Sequence, residues 1–184
     1  MKTSVIFPGI GYTVERPLLY YAGKLAAAHG YDTRIPVQYS FRGGNIRGDR
    51  EKMQEAFTEI YGQAEEKLSG ICWDEYDEIL FISKSIGTAV AAAYAARHGL
   101  QVRHLLYTPL AETFLWKPQN AVAFIGTEDP WSEIGQVRTA CEELSIPLTV
   151  VGGANHSLET GDPVRDIGIL ETVMKESRQF LSYK

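Results

Sequence analysis

Cysteine is scarce. Cys72 and Cys141 are the only two in 184 residues, and they lie too far apart for a C-x-x-C redox pair, a metal knuckle or a disulfide framework, which suits a reducing compartment. Positive charge is also in deficit. The 18 Lys and Arg are outnumbered by 23 Asp and Glu, giving a net charge of −5, so there is no basic footprint for nucleic acid. No apolar run approaches the length that spans a membrane, and the N-terminal run at 4–7 stops at Pro8-Gly9, too short for a secretory signal. Neither a signal nor a membrane span being visible, a cytoplasmic protein is expected. Asn155-His156-Ser157 matches a glycosylation sequon, but nothing else points to secretion. The four histidines (His29, His98, His104 and His156) are scattered rather than clustered, so no metal is expected. There is no phosphate-binding G-x-x-x-x-G-K stretch, and Gly9-x-Gly11 has Val14 where a dinucleotide fingerprint needs its third glycine. No cofactor is expected. Arg42, Arg47 and Arg50, around Gly43-Gly44, read as a solvated loop face rather than an anion site.

What is present is alternation. Short apolar runs at 4–7, 33–39, 78–82, 102–107, 121–125 and 147–151 read as strands, and helical periodicity fills most of the intervals between them. Leu18, Ala22, Leu25 and Ala26 form the stripe of a first helix. Met53, Phe57, Ile60, Ala64 and Leu68 stripe a second, and Ile167, Leu170, Met174 and Leu181 stripe a last helix at 164–182. Strands alternating with helices predict an α/β three-layer sandwich with a parallel sheet covered on both faces. The whole chain, 1–184, reads as one domain without repeats or linkers. The stretches 40–48 and 110–119 lack periodicity and read as loops able to wall a pocket.

One stretch organises the rest. Glu78-Ile79-Leu80-Phe81-Ile82 runs as a buried strand into Ser83-Lys84-Ser85-Ile86-Gly87, then directly into an Ala-rich helix at 86–97. Strand, sharp turn and helix with Small-x-Ser-x-Gly between them is the pattern of a nucleophile elbow. Small residues are needed two before and two after the nucleophile because strand and helix nearly touch there. The alternative reading is an ordinary strand-to-helix turn capped by Ser85.

Ligands of open α/β sheets sit beyond the carboxyl ends of the strands. Three such ends carry matching chemistry: Ser85 after the third strand, Asp129 (with Glu128 adjacent) after the fifth, and His156 after the sixth. A serine hydroxyl is a weak nucleophile until a base takes its proton. His156 is suited to that role, with Asp129 holding the ring's tautomer and stabilising imidazolium. The backbone N–H of Ile86 at the helix start and that of Ile10 in the first loop are candidate oxyanion donors. Taken singly, His156 reads as a loop histidine, Asp129-Pro130 as a helix-start turn, and Gly9-x-Gly11 as a tight turn. The catalytic reading rests on their joint order.

On these segments the chain resembles the α/β-hydrolase superfamily, and in particular its small lidless members. The matching pieces are Phe7-Pro8-Gly9-Ile10-Gly11, Ser83-Lys84-Ser85-Ile86-Gly87, Gly126-Thr127-Glu128-Asp129-Pro130 and Ala154-Asn155-His156-Ser157-Leu158. The resemblance implies a minimal version of that fold. Its six-stranded parallel sheet would run in the order 2-1-3-4-5-6, without the superfamily's first two strands. It also implies a serine hydrolase. Two positions depart from the usual pattern: Ser83 stands in place of the elbow's first glycine, and Pro8 in place of a histidine that supports the first loop. Ser83 is a rival nucleophile by position, expected to point away from the site. The superfamily's lid is inserted where this chain has only residues 108–120, too few for a helical lid, so an open, shallow site is expected. Tyr12, Leu110, Trp116 and Trp131 are its candidate lining, and a small neutral ester its expected substrate, with no nucleic-acid or membrane partner. The competing reading is a non-catalytic binding protein on the same fold.

Overall fold

The computed structural model describes residues 1–44 and 46–183; Asn45, in the loop expected at 40–48, lies outside them, as does Lys184. Six strands form one parallel sheet: β1 (Lys2–Phe7), β2 (Thr33–Pro36), β3 (Glu78–Lys84), β4 (Arg103–Tyr107), β5 (Ala121–Gly126) and β6 (Leu148–Val151). Their order is 2-1-3-4-5-6, as expected. Four helices lie between strands, α1 (Pro17–Ala28), α2 (Arg50–Leu68), α3 (Ile86–His98) and α4 (Ile134–Glu143), and a fifth, α5 (Pro163–Ser182), follows β6.

The central strands are apolar on both faces because helices cover both faces. Val5, Phe7, Ile79 and Phe81 pack against α2 and α3, and Leu106, Ala123 and Ile125 against α4. On the opposite face, Ile6, Leu80, Ile82, Leu105 and Phe124 pack with residues of α1 and α5. Helix α3 presents Ala89, Ala91, Ala92, Ala93 and Ala95 to the interior, all nearly or fully buried, and small side chains let it lie close to the sheet. No helix among the described residues is long and apolar enough to cross a membrane.

Two expectations shift. The second strand ends at Pro36 rather than at 39: β2 is an edge strand, which tolerates a proline, its last residue paired with β1 is Pro36, and a single further bond, from Val37 N–H to the Ile6 carbonyl oxygen at 2.9 Å, follows it. The chain beyond it peels away, taking Tyr39 over the first loop. The stretch 110–119, read as a plain loop, holds a 3-10 turn at Ala111–Trp116. Thr113 anchors that turn, its hydroxyl 2.6 Å from the Thr88 hydroxyl of α3.

Candidate active site

Ser85 is the only residue between β3 and α3, so the chain must reverse direction within one residue. It does so with φ 57° and ψ −130° at Ser85, a conformation that costs energy for any side chain and is associated with functional sites. The close approach behind the elbow explains Gly87. A Cβ there would stand 2.4 Å from the carbonyl oxygens of both Phe7 and Pro8. On the other side of the serine, a Cβ on Gly9 would come within 3.1 Å of Ser85 Cβ. Ser83 is fully buried and donates its hydroxyl to the Leu105 carbonyl oxygen at 3.2 Å, which removes it from contention as a rival nucleophile.

The loops after β5 and β6 cross tightly. A Cβ on Gly126 would fall 2.0 Å from the Ala154 carbonyl oxygen, and Glu128 N–H donates to that same oxygen at 3.0 Å. This crossing turns Asp129 inward and leaves Glu128 exposed. The Asp129 side chain has 0% exposure, and its Oδ1 accepts from Trp131 N–H at 2.9 Å. The histidine loop is held by Asn155, whose Oδ1 accepts from Ser157 N–H at 2.7 Å in an Asx turn.

Between these loops lies His156. Its Nδ1 is 2.8 Å from each Asp129 carboxylate oxygen, and its Nε2 is 2.7 Å from Ser85 Oγ. Trp131 stacks on the ring, centroids 5.5 Å apart. A carboxylate only accepts, so Nδ1 carries the proton and Nε2 is left to accept from the serine. Burial pushes the His156 pKa below the ordinary histidine value; the nearby Lys84 charge pushes the same way, and Asp129 opposes both. The ring is therefore neutral at pH 7, the state in which an imidazole can take a proton from a hydroxyl.

The first loop faces the elbow. Gly9 and Tyr12 exchange backbone hydrogen bonds at 3.2 Å in each direction, which puts Ile10 and Gly11 at the tip of a tight turn, Gly11 at φ 73°. Among the described residues no protein acceptor takes the N–H of Ile10 or of Ile86, and Ile86 opens α3, where unpaired N–H groups and the helix dipole favour an anion. The Tyr39 hydroxyl donates to the Pro8 carbonyl oxygen and ties the chain after β2 to this loop.

A cavity of about 320 Å³ opens beside Ser85. Tyr12, Leu110 and Trp131 line it, together with Ile46 and Met53. Trp116 does not. The 3-10 turn carries it to the α2–α3 face, where it stacks on Phe57 at 6.3 Å with the Arg97 guanidinium 4.9 Å above its ring. Sequence reasoning passed over Ile46, Met53, Tyr39 and Lys84. Met53 was assigned to a helix stripe and Ile46 to an aperiodic loop. Lys84 lies within the elbow motif, where an apolar strand ending in a lysine was the available signal.

No family model matches the chain, and no curated protein does. Solved structures do. The chain is similar to an α/β serine hydrolase homologue from Coxiella burnetii (17% identity, 96% of this chain and 84% of that one, TM-score 0.61). It is similar as well to an esterase from Pyrococcus furiosus (14%, 98% and 82%, TM-score 0.63). A third likeness is to a dienelactone hydrolase from Anabaena variabilis (16%, 97% and 85%, TM-score 0.65). With its all-parallel sheet order and these likenesses over nearly its full length, the chain has the α/β-hydrolase fold.

Proposed function

We propose that this protein is a serine hydrolase that works through an acyl-enzyme, most simply a carboxylesterase acting on small esters. The observation that carries the reading is the continuous chain from Ser85 Oγ through the His156 ring to the Asp129 carboxylate, with links of 2.7 and 2.8 Å. In the first step Ser85 Oγ attacks the ester carbonyl while His156 Nε2 takes its proton. Asp129 stabilises the imidazolium so formed. The negative charge on the carbonyl oxygen is met by the N–H groups of Ile86 and Ile10. Collapse of the tetrahedral intermediate breaks the bond to the alkoxide, which leaves with the proton from His156. Water then repeats the cycle on the acyl group, regenerating Ser85.

The cavity supports a short acyl group. Its volume of about 320 Å³ is at the lower end for small-molecule sites, and Ile46, Met53 and Leu110 give it an apolar wall. The esterase among the structural neighbours is in keeping with this reading. The test is covalent labelling with a fluorophosphonate, followed by hydrolysis of an acyl ester series. Wild type is expected to be labelled, Ser85→Ala unlabelled, and turnover to fall as the acyl chain lengthens beyond a few carbons. Well-folded wild type that takes no label would overturn the reading in favour of a binding protein on a hydrolase fold.

A further inference from the structure

The residue next to Ser85 is a lysine with almost no water. Lys84 is 1% exposed and forms no ion pair among the described residues. Its place in β3 puts it in register with Tyr107, and its Nζ lies 4.9 Å from the centre of the Tyr12 ring. Burying an ammonium without a partner is expensive, and the negative charges that relieve it are those of Asp129 and Glu159. The charged and titratable groups around it come from three loops and one strand. Tyr12 follows β1, Asp129 follows β5, His156 and Glu159 follow β6, and Tyr107 is on β4. Of these, Asp129 has no solvent exposure at its side chain, and it already holds His156.

We propose that Lys84 is a positioning residue of the triad: its sealed cation offsets the buried Asp129 carboxylate and so sets the pH at which the His156 ring becomes free to act as a base. The proposal rests on the serine-hydrolase reading for its function but not for its measurement. Lys84 and His156 line the same cavity beside Ser85, Asp129 holds the ring from its other nitrogen at 2.8 Å, and the sign of each interaction is fixed. With Lys84 charged, a second positive charge on His156 is disfavoured, so the ring stays neutral at lower pH. With Lys84 absent, Asp129 acts on the ring alone and holds its proton longer. Burial pulls the lysine's own pKa down to about 7 against the opposing pull of Asp129 and Glu159.

The experiment is titration of the His156 ring by NMR in wild type, Lys84→Met and Lys84→Arg, with the pH profile of fluorophosphonate labelling measured alongside. Methionine keeps the length and apolar stem of the side chain without its charge. The expected result is a His156 midpoint raised by on the order of one pH unit in Lys84→Met, a labelling profile shifted the same way, and both returned toward wild type by Lys84→Arg. A His156 midpoint unchanged in folded Lys84→Met would overturn the proposal and leave Lys84 as a packing residue. Should that variant not fold, the coupling is read from the other side, by following lysine Cε resonances. Asp129→Asn is expected to lower the Lys84 midpoint, and an unmoved midpoint would overturn the proposal equally. The ring titration needs no turnover. Absence of labelling with the expected titration shift would count against the hydrolase reading alone.

Discussion

The two rims of the sheet treat buried charge in opposite ways. At the amino end, Glu78 accepts from Lys2 at 2.6 Å, from Arg103 at 3.1 Å and from the Tyr31 hydroxyl. Arg103 in turn donates to the Leu181 and Phe180 carbonyl oxygens of α5 and lies over the Phe180 ring. Each charge of this cluster is answered by direct contact, and the cluster ties α5 to β3 and β4. At the carboxyl end, Lys84 is buried without an ion pair among the described residues, burial pushes the His156 pKa down, and Ser85 is strained. A rim that neutralised its charges as the first one does would have no proton free to move. On the serine-hydrolase reading the amino rim serves stability and the carboxyl rim reactivity, and substitutions can separate the two.

The largest separation is expected from the acid. Asp129→Asn leaves the volume and the fold in place but gives Nδ1 of His156 a partner that also donates. On the serine-hydrolase reading the rate falls by about 10⁴-fold, as for other triads with an altered tautomer, while the midpoint of thermal unfolding moves by only a few degrees. Glu128→Gln, one residue away and exposed, is expected to stay within twofold of wild type. Equal losses in the two variants, measured as the rate of labelling by a fluorophosphonate, would mean that the wrong carboxylate has been assigned.

The next effect is on stability at the carboxyl rim. Gly126→Ala places a methyl group 2.0 Å from the Ala154 carbonyl oxygen, a backbone atom that cannot swing aside. The β5 and β6 loops must separate, at roughly 3 kcal/mol or more, and the Asp129–His156 contact is lost with them. The contrast is Gly62→Ala on the exposed face of α2, where a Cβ meets nothing within 4 Å. That change is expected to stabilise by about 0.5–1 kcal/mol. Denaturant unfolding of the pair measures how much of the glycine requirement belongs to the site.

The difference between the rims also explains what the sequence discloses. Strand order is what the resemblance to the α/β-hydrolase superfamily implies, whereas the alternation of layers and the three residues Ser85, Asp129 and His156 are written in local signals: apolar runs, a Small-x-Ser-x-Gly turn, and acidic and imidazole groups at strand ends. These are legible because each depends on near neighbours in the chain. Tyr39 over Pro8, Ile46 and Met53 on the cavity wall, and the departure of Trp116 to Phe57 depend on where separate elements meet. Trp116 looked like a wall of the site because its loop follows β4. A six-residue 3-10 turn was enough to send it to the other side of the loop, and nothing in the sequence marked that turn. Lys84 was in plain view within the motif, but a lysine at a strand end reads as solvated until the burial around it is known.

The smallest effect is expected at the amino rim and tests whether that end is silent in catalysis. Partial burial pushes the Glu78 carboxyl up, but the donors on Lys2, Tyr31 and Arg103 outweigh it and hold the group at about 2, below its ordinary 4.5. A carboxylate with a depressed pKa in the folded state stabilises the fold above the unfolded value, and that contribution fades as pH falls from about 4.5 through about 2. The side chain is 29% exposed, so solvent screening limits the contribution to about 1 kcal/mol. Glu78→Gln is accordingly expected to lower stability by about that amount at pH 7 and by progressively less toward pH 2, as read from thermal unfolding across that range. Its labelling rate by a fluorophosphonate should equal that of wild type, because Glu78 opens β3 and Ser85 follows that strand's far end, with six residues of strand between them. A loss of rate in this variant would show that the two ends of β3 are coupled, and that the division of the sheet into a stabilising rim and a reactive one does not hold.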